Sequence, residues 1–268
     1  MLPVSPLDGR DFRHSMGLRS LDVADWILWG DDVEEQLRRK DALLFSQPSD
    51  VVAIREESRP ACDELLELVV AAVGDAGRNA EVNADEQSLV CAARLTPDDW
   101  CIVEHDTSWR LTAAVVCFPS RWRLADKVGS SLDGIHQPVP GYDEELSRPT
   151  NAFFDRLSPS KSFWRLNWTL LGNEELFQPQ SLREADELDV RNWTFRVERQ
   201  TLRSLPVTGA VAFGIRTFRV PAHRMSEHDP EFAVKVDRIL ATAPGDTLRY
   251  KGWVGLRERW REAFLDRL

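Results

Sequence analysis

Two hydrophobic periods divide the chain. From Asp31 to Phe45 ("DDVEEQLRRKDALLF") acidic residues come first and basic ones follow, while Val33, Leu37 and Leu44 recur at near-helical spacing, which predicts a helix. A second helix is predicted over Ser58 to Gly74 ("SRPACDELLELVVAAVG"), where Ser58 can cap, Pro60 suits the first turn and Gly74 closes the run. "VVAIR" between them reads as a strand or as part of the connection. Beyond the polar loop "GDAGRNAEVNADE" the pattern changes to short segments of β character, "LVCAARL", "WCIVEHD" and "WRLTAAVVCFP", with "HDTSWR" as a hairpin turn between Cys101–Val103 and Leu111–Phe118.

The second half carries the same mixture. "PVPGYDEELSRPTNAFFDRL" reads as a turn and a helix, "FWRLNWTLLG" as a strand, "WTFRVERQTLRSLP" as a strand entering a charged turn, and "AVAFGIRTFRVP" as an alternating strand. "PEFAVKVDRILATA" and the terminal "GLRERWREAFLDRL" complete the helices, and "HRMSEHD" reads as a surface loop. Helices and antiparallel strands are mixed without regular βαβα alternation, so the fold class is α+β, one domain with a helical amino-terminal extension.

Charge and cysteine usage narrow the function. Lys plus Arg total 34 against 44 Asp plus Glu, a net charge of −10, which argues against a nucleic-acid partner. Cys62, Cys91, Cys101 and Cys117 lie far apart, without the paired spacing of a zinc site or dithiol centre, and read as buried free thiols. The amino terminus lacks the pattern of a signal peptide and no apolar run reaches the ~18 residues of a membrane span, so the expected location is cytoplasmic and away from membranes.

Known phosphate-cradle and hydrolase fingerprints are missing from the sequence. What stands out is ten tryptophans against two tyrosines, and a histidine, His136, set among prolines in "GIHQPVPGY" just after the basic-aromatic cluster Arg121, Trp122, Arg123 and Lys127. The prolines would hold the chain extended and present the imidazole stiffly, as a packed corner or as a metal or haem ligand. In "FWRLNWTL" the alternation puts Arg165, Asn167 and Thr169 on one strand face and Trp164, Leu166 and Trp168 on the other. "RVERQTLRSLP" adds Arg196, Glu198, Arg199, Gln200 and Arg203, a charged cluster suited to a solvated face or to holding carboxylates.

Together "CFPSRWRLADKVGSSLDGIHQPVPGY", "FWRLNWTL" and "RVERQTLRSLPVTGAVAFGIRTF" resemble the haem-dependent oxidative N-demethylase alpha-subunit family, over about Leu28 to Trp253. The resemblance implies a PAS-like haem-binding domain over residues 28–253, an antiparallel sheet with flanking helices, preceded by an extension over 1–27 and followed by a terminal helix over 254–268. It further implies haem b as cofactor and oxidative removal of a methyl group from a small secondary amine such as dimethylamine, releasing formaldehyde. Electrons would come from NADPH through a separate reductase carrying flavin and an iron–sulfur centre. His136 would then be the axial iron ligand, with Cys117 as its rival. Arg121, Arg123, Lys127 and Arg199 would bind around the cofactor, Trp122 and Tyr142 would line the pocket, and Glu198, Arg165 and Asn167 would meet the substrate. A haem sensor or carrier without turnover, and a non-haem interaction protein, are the competing expectations.

Overall fold

The computed structural model describes residues 5–180 and 189–266, and is built on a seven-stranded antiparallel sheet. In chain order the strands are β1 (Arg19–Leu21), β2 (Val52–Ile54), β3 (Asp99–His105), β4 (Trp109–Val115), β5 (Ser162–Leu171), β6 (Thr194–Ser204) and β7 (Val211–Pro221). Their spatial order is β1-β5-β6-β7-β3-β4-β2. The helices are α1 (Val33–Ser46), α2 (Pro48–Val51), α3 (Arg59–Asp75), α4 (Ser88–Leu95), α5 (Leu132–His136), α6 (Ser147–Phe154), α7 (Ala222–His228), α8 (Phe232–Thr242), α9 (Gly245–Lys251) and α10 (Leu256–Phe264). The α+β class is the one expected. The run β3, β4, helical segment, β5, β6, β7 is compatible with a PAS-like sheet that receives its helices between the second and third strands of the set.

Several sequence expectations are corrected. "LVCAARL" is helix α4 and not a strand: Val90 is its only β-branched residue, Leu, Ala and Arg favour helix, and Leu89 to Ala93 are all buried, which erases the periodicity. "HRMSEHD" lies in helix α7, which docks Ala222 and Met225 into the core. The amino-terminal stretch supplies β1, which pairs with the start of β5. "VVAIR" resolves into β2, paired with β4.

Strand alternation gives the sheet two distinct faces. One carries Trp100, Ile102, Ala113, Val115, Ala212 and Trp164, covered by α3 and α4, and continues through Leu166, Trp168, Leu170, Phe195 and Val197 under α7, α8 and α10. The other carries Cys101, Val103, Leu111, Ala114, Leu202, Val211 and Ile215, covered by the segment between β4 and β5 through Leu124, Leu132 and Phe154. Burial of this apolar surface from water is what drives the assembly. Half of the ten tryptophans are core: Trp26, Trp100, Trp193, Trp253 and Trp260 are fully buried, and Trp260 donates from Nε1 to the Ala233 carbonyl at 3.0 Å to lock α10 onto α8.

β1 is short, so most of β5 has a free outer edge. The stretch around α9 closes that edge with side chains: Lys251 Nζ donates to the Trp168 carbonyl at 2.9 Å and Trp253 Nε1 to that of Leu170 at 3.2 Å. Exposed strand carbonyls are thereby satisfied and the edge is barred to another strand. Among the described residues no helix is long and apolar enough to cross a membrane.

Candidate functional site

The second face of the sheet changes from apolar to polar along β5 and β6. Cross-strand pairing sets Arg165 opposite Gln200 and Asn167 opposite Glu198, so all four side chains rise from the same face. Glu198 Oε2 accepts from Asn167 Nδ2 at 3.3 Å and from Gln200 Nε2 at 3.1 Å, while its Oε1 stands 3.5 Å from Arg196 Nε. Arg196 is buried and is held in turn by the carbonyls of Phe118 and Leu176, to which it donates. The carboxylate is therefore fixed in position by its own strand neighbours, and Oε1 retains acceptor capacity.

His136 approaches this face from the covering segment. Ser131 caps α5, its Oγ accepting from the Gly134 N–H at 3.2 Å, and the short helix ends at His136, so the ring sits at a helix terminus and not on the extended strut expected from the prolines. Nδ1 lies 2.8 Å from the Leu132 carbonyl. A carbonyl only accepts, so Nδ1 carries the proton and Nε2 keeps a lone pair. Burial, reinforced by the positive charges of Arg165 and Lys127, outweighs that hydrogen bond and the Asp133 carboxylate and lowers the ring's pKa, which keeps it neutral. The imidazole stacks on Tyr142 with ring centroids 4.5 Å apart and planes 14° off parallel. Tyr142 follows Gly141, whose φ of +76° disfavours any side chain and where a Cβ would meet His14 Nε2 at 3.0 Å. Burial raises the Tyr142 phenol to about 12, so it is present as a phenol and not a phenolate.

The other expected residues divide by location. Lys127 donates to the Ile135 carbonyl and so braces the helix that carries His136; burial lowers its pKa. Trp122 packs, half-buried, on the apolar part of the same covering layer, and Arg123 is exposed at the mouth of a 3₁₀ turn. Arg121 adopts a left-handed φ of 64°, held by its N–H donating to the Gln178 carbonyl at 2.7 Å. Arg199 belongs to the opposite face: it donates to the carbonyls of Trp26 (3.0 Å) and Asp25 (2.6 Å), tying β6 to the amino-terminal segment, so it does not join His136 and Glu198. Cys117 also lies away from this site, in the core with Val115 and Phe118, and burial first, then Asp99, pushes its thiol up to about 12. In that apolar setting it is held as the thiol.

Two residues join the site that the strand and turn patterns did not mark. Lys251, at the end of α9, is in electrostatic reach of both Glu198 and Arg165, and its ammonium packs 5.1 Å from the centre of the Trp253 ring. Burial lowers its pKa to about 8. Tyr250 beside it also feels Glu198. The signal in the sequence is a Lys-Gly-Trp triplet that closes α9, a helix too short to show a period. A separate surface cleft lined by Arg55, Glu57, Glu104, Asp106 and Arg110 shares none of these residues, and its arginines already face carboxylates, Arg110 at 3.7 Å from Asp106.

The donor chemistry fits a haem. A neutral imidazole with an oriented Nδ1–H and an open Nε2 is the form that ligates iron, the hydrogen-bonded carbonyl raising its basicity. Cations suited to carboxylate side arms stand nearby: Arg165 has its Nε buried without a hydrogen-bond partner. Comparison with known families places the chain in the same class. Residues 76–264 match the family described as haem-dependent oxidative N-demethylase, alpha subunit-like. The chain belongs to this family, which carries with it haem dependence and an oxidative N-demethylase type of activity, and the alpha-subunit-like description is compatible with a partner protein.

Proposed function

We propose that this chain is the haem-binding catalytic subunit of an oxidative N-demethylase for a small secondary amine such as dimethylamine, and that His136 would hold the haem iron. The observation that carries the reading is the His136 Nδ1 contact to the Leu132 carbonyl at 2.8 Å, which leaves Nε2 as the free ligand atom of a neutral ring beside the polar face of β5 and β6. Tyr142 fixes the plane of that ring by stacking, and Lys127 holds the end of its helix.

When bound, the haem supplies the oxygen chemistry: an N-methyl amine, O₂, a pair of electrons and a pair of protons give formaldehyde, the demethylated amine and water. The protein's part is to hold the amine. A secondary amine arrives as an ammonium ion, and the Oε1 of Glu198 is an acceptor for its N–H, with Asn167 and Gln200 keeping the carboxylate from turning away. Electrons come from NADPH through a separate flavin and iron–sulfur reductase.

The test is the absorption spectrum of wild type and His136→Ala in ferric, ferrous and ferrous-CO forms. A Soret band at one haem per chain, shifted or lost in the variant, supports the reading. A wild type that stays colourless with added haem overturns it, and a spectrum unchanged in the variant removes His136 as ligand.

A further inference from the structure

We propose that Arg165 is a carboxylate anchor, which together with Glu198 would let the site hold a ligand carrying a carboxylate as well as, or in place of, a simple amine. The proposal rests on the functional reading above. Arg165 stands on β5 opposite Gln200 and diagonal to Glu198, and its Nε, like that of Arg196, is buried with no hydrogen-bond partner among the described residues. Arg196, the neighbouring guanidinium, is nonetheless taken up by two carbonyls and by Glu198. Glu198 does not serve Arg165 as a hydrogen-bonded partner, because its Oε2 is shared between Asn167 and Gln200 and its Oε1 faces Arg196.

The surroundings have the wrong sign for a small cation alone. Arg165, Arg196 and Lys251 all feel the Glu198 carboxylate, Asp99 acts on Arg196 as well, and burial still lowers the pKa of each of the three, the response of a cation short of counter-charge. Lys127 adds a further positive charge beside His136. A planar carboxylate is the anion whose geometry matches a guanidinium fork, and burying an arginine unpaired is costly unless a ligand completes it. Two sources supply that group: a propionate of the haem, or the carboxylate of an N-methylated amino acid, whose ammonium end would fall to Glu198. N-methylglycine is the smallest compound that carries both ends.

Two titrations separate the sources. Wild type, Arg165→Met and Arg165→Lys are titrated with haem and with haem dimethyl ester, read at the Soret band; the haem-loaded forms are then titrated with dimethylamine and with N-methylglycine, read as Soret perturbation. If a propionate is the partner, Arg165→Met weakens haem binding at least tenfold, leaves the diester unchanged, and Arg165→Lys recovers part of the loss. If the substrate is the partner, haem binding is kept, N-methylglycine affinity falls at least tenfold and dimethylamine affinity does not. Equal behaviour of wild type and Arg165→Met in both titrations overturns the anchor. A wild type that takes up neither porphyrin overturns the functional reading instead; thermal melts with N-methylglycine then decide Arg165, whose role stands if the ligand raises the melting temperature of wild type but not of Arg165→Met, and falls if it raises neither.

Discussion

Single ionisable residues record how this fold handles charge. Asp98 is fully buried, both carboxylate oxygens lack hydrogen-bond partners, and burial raises its pKa to about 6 despite the opposing positive charges of Arg216, Lys40 and Arg199. The sign follows from proton counts. Between the ordinary aspartate value and about 6 the folded state binds more protons than the unfolded chain, so stability falls as pH rises through that window, the reverse of a salt-bridged carboxylate. Asp98→Asn is expected to flatten this slope and to stabilise the protein at pH 7 by on the order of 2 kcal/mol, since one pKa unit corresponds to about 1.4 kcal/mol. Urea unfolding of both proteins at pH 4.5 and pH 7 checks it; an Asn variant less stable at pH 7 would show that the ionised group has a partner the geometry does not reveal. Asp98 and Asp99 look alike in sequence, yet Asp99 accepts from the Phe118 N–H at 2.8 Å and faces Lys40 at 3.6 Å. Only the three-dimensional neighbours tell the two apart.

At the level of elements, legibility followed periodicity. β5, β6 and β7 were readable because long alternating strands put polar and apolar residues on opposite faces, and the grouping of Arg165 and Asn167 away from Trp164, Leu166 and Trp168 holds in the structure. α4 was misread because a short helix buried all round has no polar face to betray its period. α9 went unseen, and with it Lys251, because a seven-residue helix between a proline and a glycine leaves too few turns for a pattern. Arg199 adjoins Glu198 in sequence, but period-two alternation sends adjacent side chains to opposite faces. β7 shows a constraint of another kind. Gly214 lies between Thr201 of β6 and Trp100 of β3, and a Cβ there would come within 2.7 Å of Thr201 Oγ1 and of the Trp100 ring. Both neighbours are buried, so Gly214→Ala forces the indole or the strand to shift, and a loss of about 1–3 kcal/mol is expected, the usual range for overpacking. Thermal or urea melts measure it, and an unchanged midpoint would mean that Trp100 has room to move.

The whole molecule is a sheet with a division of labour between its faces, and that division can be tested with neighbouring residues. Arg199 faces the helical layer and bonds the carbonyls of Asp25 and Trp26; Glu198, one position earlier, lies on the opposite face, the one covered by the segment between β4 and β5. In Arg199→Met both carbonyls lose their donor, and for the buried Trp26 carbonyl the penalty is on the order of 1–3 kcal/mol for an acceptor left unsatisfied. The expected phenotype is a lower unfolding midpoint with the Soret band and amine affinity of the haem-loaded protein unchanged. Glu198→Gln keeps the side-chain volume but removes the anion beside Arg196 and with it the charge-assisted acceptor for an ammonium, so amine affinity is expected to fall at least tenfold. Reading both variants by urea unfolding and by Soret titration gives a crossed result only if the faces act separately. A variant at Arg199 that shifts the Soret band as much as one at Glu198 would mean that the sheet transmits strain from its structural face to the site, and that stability and ligand binding are coupled through β6.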